Sequence, residues 1–185
     1  MGTMNTYTAY HATDKSNVQS IITSNFTFRE KSTHWLGNGV YFFVDKSLAI
    51  DWGNNCPTTK YGCIKDPAVI EAIIFVDDDF VCDMRELETH NKVKHAFDIF
   101  WESVYKARYT AKYDNNFIEK LECAFFNWFT KKLGWKCIIC NFQKRTLPIA
   151  KSKFDSMFSQ FRLPYVETQI CVKDISCITN RKELL

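Results

Sequence analysis

Trp35-Leu36-Gly37-Asn38-Gly39-Val40-Tyr41-Phe42-Phe43 is the stretch whose reading decides the fold. Two glycines around an asparagine supply the backbone freedom of a tight turn, and Val40 to Val44 holds the β-branched and aromatic residues that favour strands. The pattern predicts a turn feeding a strand, with Tyr41 projecting from a fixed place just after the turn. Asp45 then stands as N-cap of a short helix carrying Leu48, Ala49, Ile50 and Trp52 and ending at Gly53-Asn54-Asn55.

Upstream of the turn, Thr6 to His11 alternates as a strand does. Asp14 or Ser16 caps a following helix with Val18, Ile21 and Ile22 on one face. Downstream, Val69 to Val76 reads as a buried strand that Asp77-Asp78-Asp79 turns into Phe80-Val81-Cys82. Three adjacent carboxylates in a turn more often stay solvated than hold a metal, and no further ligands lie nearby in sequence.

The stretch from Arg85 to Trp135 is helical by pattern. Val93, Ala96, Phe97, Phe100, Trp101, Val104 and Tyr105 form one stripe; Phe117, Ile118, Leu121, Phe125, Trp128, Phe129 and Leu133 form a second. Asp114-Asn115-Asn116 breaks the pair and Gly134 ends it. Cys137 to Phe142 reads as a strand, Pro148 to Phe161 as a polar and aromatic segment with a short helix, and Tyr165 to Lys173 as a last strand that Ser176 to Ile178 extends at the edge. Strands, a helical block, then strands define an α+β chain.

With 185 residues, 46% hydrophobic and 16% aromatic, the chain supports one core and is read as a single domain over 1–185. Its 24 basic and 21 acidic residues are interspersed, and a net charge of +3 excludes the electrostatic footprint of a dedicated nucleic-acid binder. Eight cysteines, with no secretory signal in the sequence, predict reduced thiols in a cytoplasmic compartment. Cys137 and Cys140 have the spacing of a redox or zinc half-site, but on a strand they point to opposite faces, which favours packing. Gly2 and Thr6 formally match a myristoylation pattern too short to inform. No apolar run approaches the roughly 20 residues that cross a bilayer, so a soluble protein without a membrane partner is expected.

Three segments together carry a resemblance. Tyr10-His11-Ala12-Thr13, Gly39-Val40-Tyr41-Phe42 and Glu167-Thr168-Gln169-Ile170-Cys171-Val172 resemble, in order, the three site motifs of ADP-ribosyltransferases of the histidine-tyrosine-glutamate type, the group that includes the poly(ADP-ribose) polymerases. The resemblance spans Thr6 to Asp174 and leaves Arg85 to Phe161 unmatched. It implies a split antiparallel β-sheet core with a central helical block at 85–135, NAD as substrate and no metal.

The resemblance further implies roles. His11 hydrogen-bonds the adenosine ribose, and the backbone of Ala12, where the family commonly has glycine, pairs with the nicotinamide amide beside Thr13. Gly39 turns the chain so that Tyr41 stacks on nicotinamide, and Trp52 either closes the other face of that ring or serves as a core residue. At the third motif Gln169 stands where the family's glutamate contacts the ribose. Either Gln169 orients the ribose while Glu167 contacts the acceptor or acts as its general base, or Glu167 is itself the electrostatic partner of the developing cation. An amide at this place implies a single transfer rather than chain elongation.

The implied function is thus mono-ADP-ribosylation of a macromolecular acceptor, protein or nucleic acid, with Pro67 to Arg85 and Ser152 to Val166 as acceptor-facing loops. The alternative is a module that binds NAD or ADP-ribose without transfer. Compact members of this kind look like bacterial or phage-related toxins and effectors, which leaves room for an antitoxin or inhibitor protein as partner.

Overall fold

The longest strands organise the sheet. In a computed structural model, which describes residues 2–55, 64–105, 116–143 and 166–184, β1 (Met4–Asp14) pairs antiparallel with β3 (Pro67–Asp77) from Met4↔Asp77 to Asp14↔Pro67. The remaining strands are β2 (Val40–Phe43), β4 (Val81–Asp83), β5 (Cys137–Gln143), β6 (Val166–Val172) and β7 (Ile178–Glu183). They form one seven-stranded sheet in the order β4-β5-β6-β2-β1-β3-β7. Among the described strands only β4 and β5 run parallel. With four α-helices among the described residues around a mostly antiparallel sheet, the fold is α+β, as the order of elements predicts.

Helices cover both faces. On α1 (Lys15–Ser24), capped by the Asp14 side chain at the Ser16 N–H, Val18 and Ile21 pack with Ala9, Val40, Phe42, Ile70, Ile74, Ile139 and Ile170. The opposite face receives α3 (Leu87–Phe100) and α4 (Phe117–Leu133) through Phe100, Leu121, Phe125 and Phe129 against Ile138 and Cys171, and α2 (Lys46–Asn55) through Leu48 and Ala49 against Phe43 and Val69. Strand alternation produces this division: Cys137 belongs to the first cluster and Cys140 to the second, so the pair spans the sheet rather than facing a common metal. The six described cysteines are free thiols.

Several boundaries differ from expectation. α2 runs to Asn55, the last residue of the expected Gly53-Asn54-Asn55 stop, with Gly53 buried inside it, where an added Cβ would sit 3.5 Å from that of Ala12 and 3.4 Å from that of Pro67. The first helical stripe continues past Phe100 as a π-helical turn over Trp101–Tyr105. On α4, Ile118 and Leu133 are exposed while Phe126 and Cys123 are buried, because the helix is covered more widely than one stripe: Phe126 joins the core cluster against the sheet and Cys123 lies under the loop before β2, its Sγ 3.1 Å from the Lys31 carbonyl. Gly134 does end α4, in the left-handed conformation at φ 73°. The edge strand β7 begins at Ile178, after a 3-10 turn over Ile175–Cys177. Asp114 and Asn115, the segment from Pro148 to Phe161, and the expected acceptor loop from Ser152 up to Val166 lie outside the described residues. Pro67 to Asp77, expected to face an acceptor, is instead an interior strand between β1 and β7.

One interruption of the sheet positions the site. β2 pairs with β6 along its whole length, from Val40↔Val172 to Phe43↔Gln169, yet with β1 at the single register Tyr10↔Phe43. From His11 onward the two central strands part.

Candidate functional site

The turn before β2 is held from several directions. Tyr41 Oη accepts the Leu36 N–H at 2.9 Å and donates to the Gly37 carbonyl at 2.7 Å. Lys173, at the end of β6, donates to the Leu36 and Asn38 carbonyls, and Asn127 of α4 accepts the Asn38 N–H at 2.7 Å. Both glycines are needed. Gly37 sits at φ 75°, and a Cβ on Gly39 would lie 2.7 Å from Cys171 Sγ and from the Val172 carbonyl. The tyrosine hydroxyl, consumed by the turn, is pushed far above its ordinary pKa by burial. Tyr41 therefore offers its ring, not its hydroxyl, to any ligand.

His11 bridges the place where the strands part. Its Nδ1–H donates to the Tyr41 carbonyl at 2.7 Å, a side chain standing in for a ladder bond. Burial holds its pKa below the ordinary value, against the opposing effect of that bond. The imidazole is neutral, so Nε2 carries the lone pair and is available to accept a hydroxyl proton. The ring is fixed edge-on to Phe26 at 5.0 Å and tilted on Phe42 at 5.7 Å.

A cleft of about 610 Å³ opens at this gap, within the range of small-molecule and cofactor sites. His11, Ala12, Thr13, Gly39, Tyr41, Trp52 and Gln169 all line it. Trp52 packs on Phe43 at 6.2 Å and also lines the cleft. Glu167 does not belong to the lining. It reaches the site through Gln169, whose Nε2 donates to Glu167 Oε1 at 2.6 Å. The other end of the amide, Oε1, accepts the indole N–H of Trp35 at 3.2 Å. Gln169 is 3% exposed on a central strand, and these two bonds fix which way its amide points.

Sequence reasoning passed over other residues of the lining. Arg29 and Lys31, on the exposed segment after α1, bring positive charge to the cleft, whose lining among the described residues holds no carboxylate. His34 stands edge-on to Tyr41 at 5.6 Å, and burial together with Lys31 keeps its pKa below the ordinary value. Its Nδ1 is buried with no hydrogen-bond partner among the described residues. Arg29 and Lys31 are visible as charge in the sequence, but their place beside the cleft depends on the fold.

Among the described residues, no group of three or more His, Cys, Asp or Glu side chains is placed to hold a metal ion. The Asp77 carboxylate instead accepts the Asp79 N–H at 3.1 Å, and Asp78 accepts from Asn5 at 2.7 Å. No described helix is long and apolar enough to cross a membrane.

No protein-family model matches the chain, and no solved structure matches it significantly. The chain is similar to MJ0359, an uncharacterized protein of the archaeon Methanocaldococcus jannaschii, at 24% identity over 188 residues covering 92% of this chain and 84% of the relative. That relative carries no stated activity. The functional reading rests on the residues of the cleft.

Proposed function

We propose that the chain is an ADP-ribosyltransferase that binds NAD in this cleft, releases nicotinamide and makes a single transfer of ADP-ribose to a macromolecule. The observation that supports this most is convergence: His11, Tyr41, Trp52 and Gln169, from well-separated segments, line one cleft together with the backbone of Ala12 and Gly39. A carboxamide-bearing ring suits the aromatic walls of Tyr41 and Trp52, and a diphosphate suits the positive charge of Arg29 and Lys31.

In the proposed reaction the ribose C1′–nitrogen bond breaks, its electron pair leaves on the nicotinamide nitrogen, and positive charge builds on the ribose. His11 Nε2 accepts a hydroxyl of the adenosine ribose and Gln169 Oε1 one of the nicotinamide ribose, holding the dinucleotide bent. The acceptor's lone pair then forms the new bond to C1′, and its proton passes to a base. Glu167, tied beside Gln169 and outside the lining, fits the acceptor-side base better than the partner of the cation. The acceptor is protein or nucleic acid, and a toxin or effector role, with a cognate inhibitor, is part of the same reading.

One observation favours the alternative, a module that binds NAD or ADP-ribose without transfer. Both ends of the Gln169 amide are engaged within the protein. Incubation with adenylate-labelled NAD and a cell lysate, with and without nuclease, separates the two. Label on protein or nucleic acid supports transfer; binding of NAD without label or nicotinamide release supports the module.

A further inference from the structure

The engagement of Gln169 points to Trp35, the first residue of the turn segment, to which the resemblance assigns no role. Trp35 precedes a backbone fixed at Leu36, Gly37 and Asn38 by Tyr41, Lys173 and Asn127. Its own side chain extends from that anchored turn into the cleft. The indole lies edge-on to Tyr41 with centroids 5.5 Å apart and planes at 72°, and edge-on to Trp52 at 6.5 Å and 81°. It also meets Phe142 at 6.1 Å. One ring thus touches both aromatic walls assigned to nicotinamide while its N–H takes the Gln169 oxygen assigned to the ribose.

Trp35 stands in perpendicular contact with both Tyr41 and Trp52, with a flat ring and an N–H donor like those of an aromatic amide. The 3.2 Å bond to Gln169 is at the long end for N–H···O. On the cleft side the chain from Thr27 to Ser32 is exposed, so solvent-facing space adjoins the indole's loop.

We propose that Trp35 is a gate: in the free protein its indole occupies the nicotinamide subsite, and ligand entry swings it out and releases Gln169 Oε1 for the ribose. This inference rests on the NAD reading above. It makes Trp35 a positioning residue, acting through Gln169, and it reconciles a fully engaged amide with a transferase. Binding and assembly of the ribose contact become one event, because the acceptor atom is exposed only when the ring subsite is filled.

The test uses the full chain with nicotinamide as probe. In calorimetric titrations Trp35→Ala, which has no ring to displace, binds nicotinamide roughly tenfold more tightly than wild type, and Trp35→Phe, which lacks the N–H, falls between them. In wild type labelled with 5-fluorotryptophan, the ¹⁹F resonance that Trp35→Phe deletes shifts toward its solvent-exposed position at saturating nicotinamide. That signal decides the matter even if Trp35→Ala does not fold. Equal or weaker binding by folded Trp35 variants, or an unmoved Trp35 resonance in a protein that binds, overturns the gate while leaving the NAD reading standing. Failure of wild type and both variants to bind either nicotinamide or NAD overturns the reading and the gate with it.

Discussion

The imidazole of His11 donates its Nδ1–H to the backbone carbonyl of Tyr41 at 2.7 Å, joining β1 to β2 beyond the last register pair between them. That bond sets the tautomer of one proposed site residue through the backbone of another. It also predicts how stability depends on pH. The unfolded chain's histidines protonate below about pH 6.5, whereas burial keeps folded His11, and likewise His34, neutral to lower pH. The unfolded state then binds more protons, so the stability these residues contribute is fully present above about pH 6.5 and is lost as the pH falls below it. Melting temperatures between about pH 7.5 and 5 should drop for wild type and drop less steeply for His11→Gln; equal slopes would contradict the assigned tautomer and burial.

Tyr41 separates structure from binding. Tyr41→Phe keeps the ring but leaves the Leu36 N–H and the Gly37 carbonyl without their partner, at a cost of about 1–3 kcal/mol in denaturant titrations. NAD affinity should stay within a few-fold of wild type, since the ring face remains. Tyr41→Ala should abolish NAD binding, and Cys137→Ala, on the opposite face of the sheet, should not.

The two turn glycines differ from the helix-ending one. Gly134→Ala meets open space and pays only left-handed strain, about 1–2 kcal/mol. Gly37→Ala carries the same strain plus a Cβ placed 2.5 Å from Asn127 Oδ1 and 2.9 Å from Lys173 Nζ. Thermal denaturation should therefore rank Gly37→Ala well below Gly134→Ala; the reverse order would mean that the turn is not pinned to α4 and β6.

These glycines show how much of the molecule was legible in sequence. The turn, the strand after it, the Asp14 and Asp45 caps and the Gly134 stop were readable because each is specified by residues within a few positions. The opposite-facing Cys137 and Cys140 followed from strand period alone. Trp35 and Lys173 were not legible: the first meets Gln169 across 134 residues and the second clamps Leu36 across 137, contacts created by the β2–β6 pairing. Ile118 looked like core because it is apolar at helical spacing, but spacing cannot say how wide a face the sheet will cover. The bond between Glu167 and Gln169 was half-visible, since a strand's period puts both on one side without saying that they touch.

Exchanging those two residues tests their assignment. Gln169→Glu alone places two carboxylates within hydrogen-bonding distance, which raises the pKa of one and lowers stability above it. The double exchange Glu167→Gln with Gln169→Glu restores an amide–carboxylate pair with the charge on the cleft side. Nicotinamide release by hydrolysis should rise in the double variant relative to wild type; no change would argue against position 169 as the ribose contact.

Charge at the cleft mouth should matter for part of the ligand only. Replacing Arg29 and Lys31 with alanine should weaken ADP-ribose binding about tenfold at low salt, with a shallower salt dependence, and leave nicotinamide affinity unchanged. Titration calorimetry at two salt concentrations measures both.

The central claim is that this cleft cleaves NAD. Its most direct test is chromatographic measurement of free nicotinamide after incubating purified protein with NAD and lysate acceptors, beside Tyr41→Ala. The account predicts nicotinamide release, with equal ADP-ribose appearing on an acceptor or in solution, and none above background from the variant. Absence of release from folded wild-type protein, or equal release from Tyr41→Ala, would contradict it.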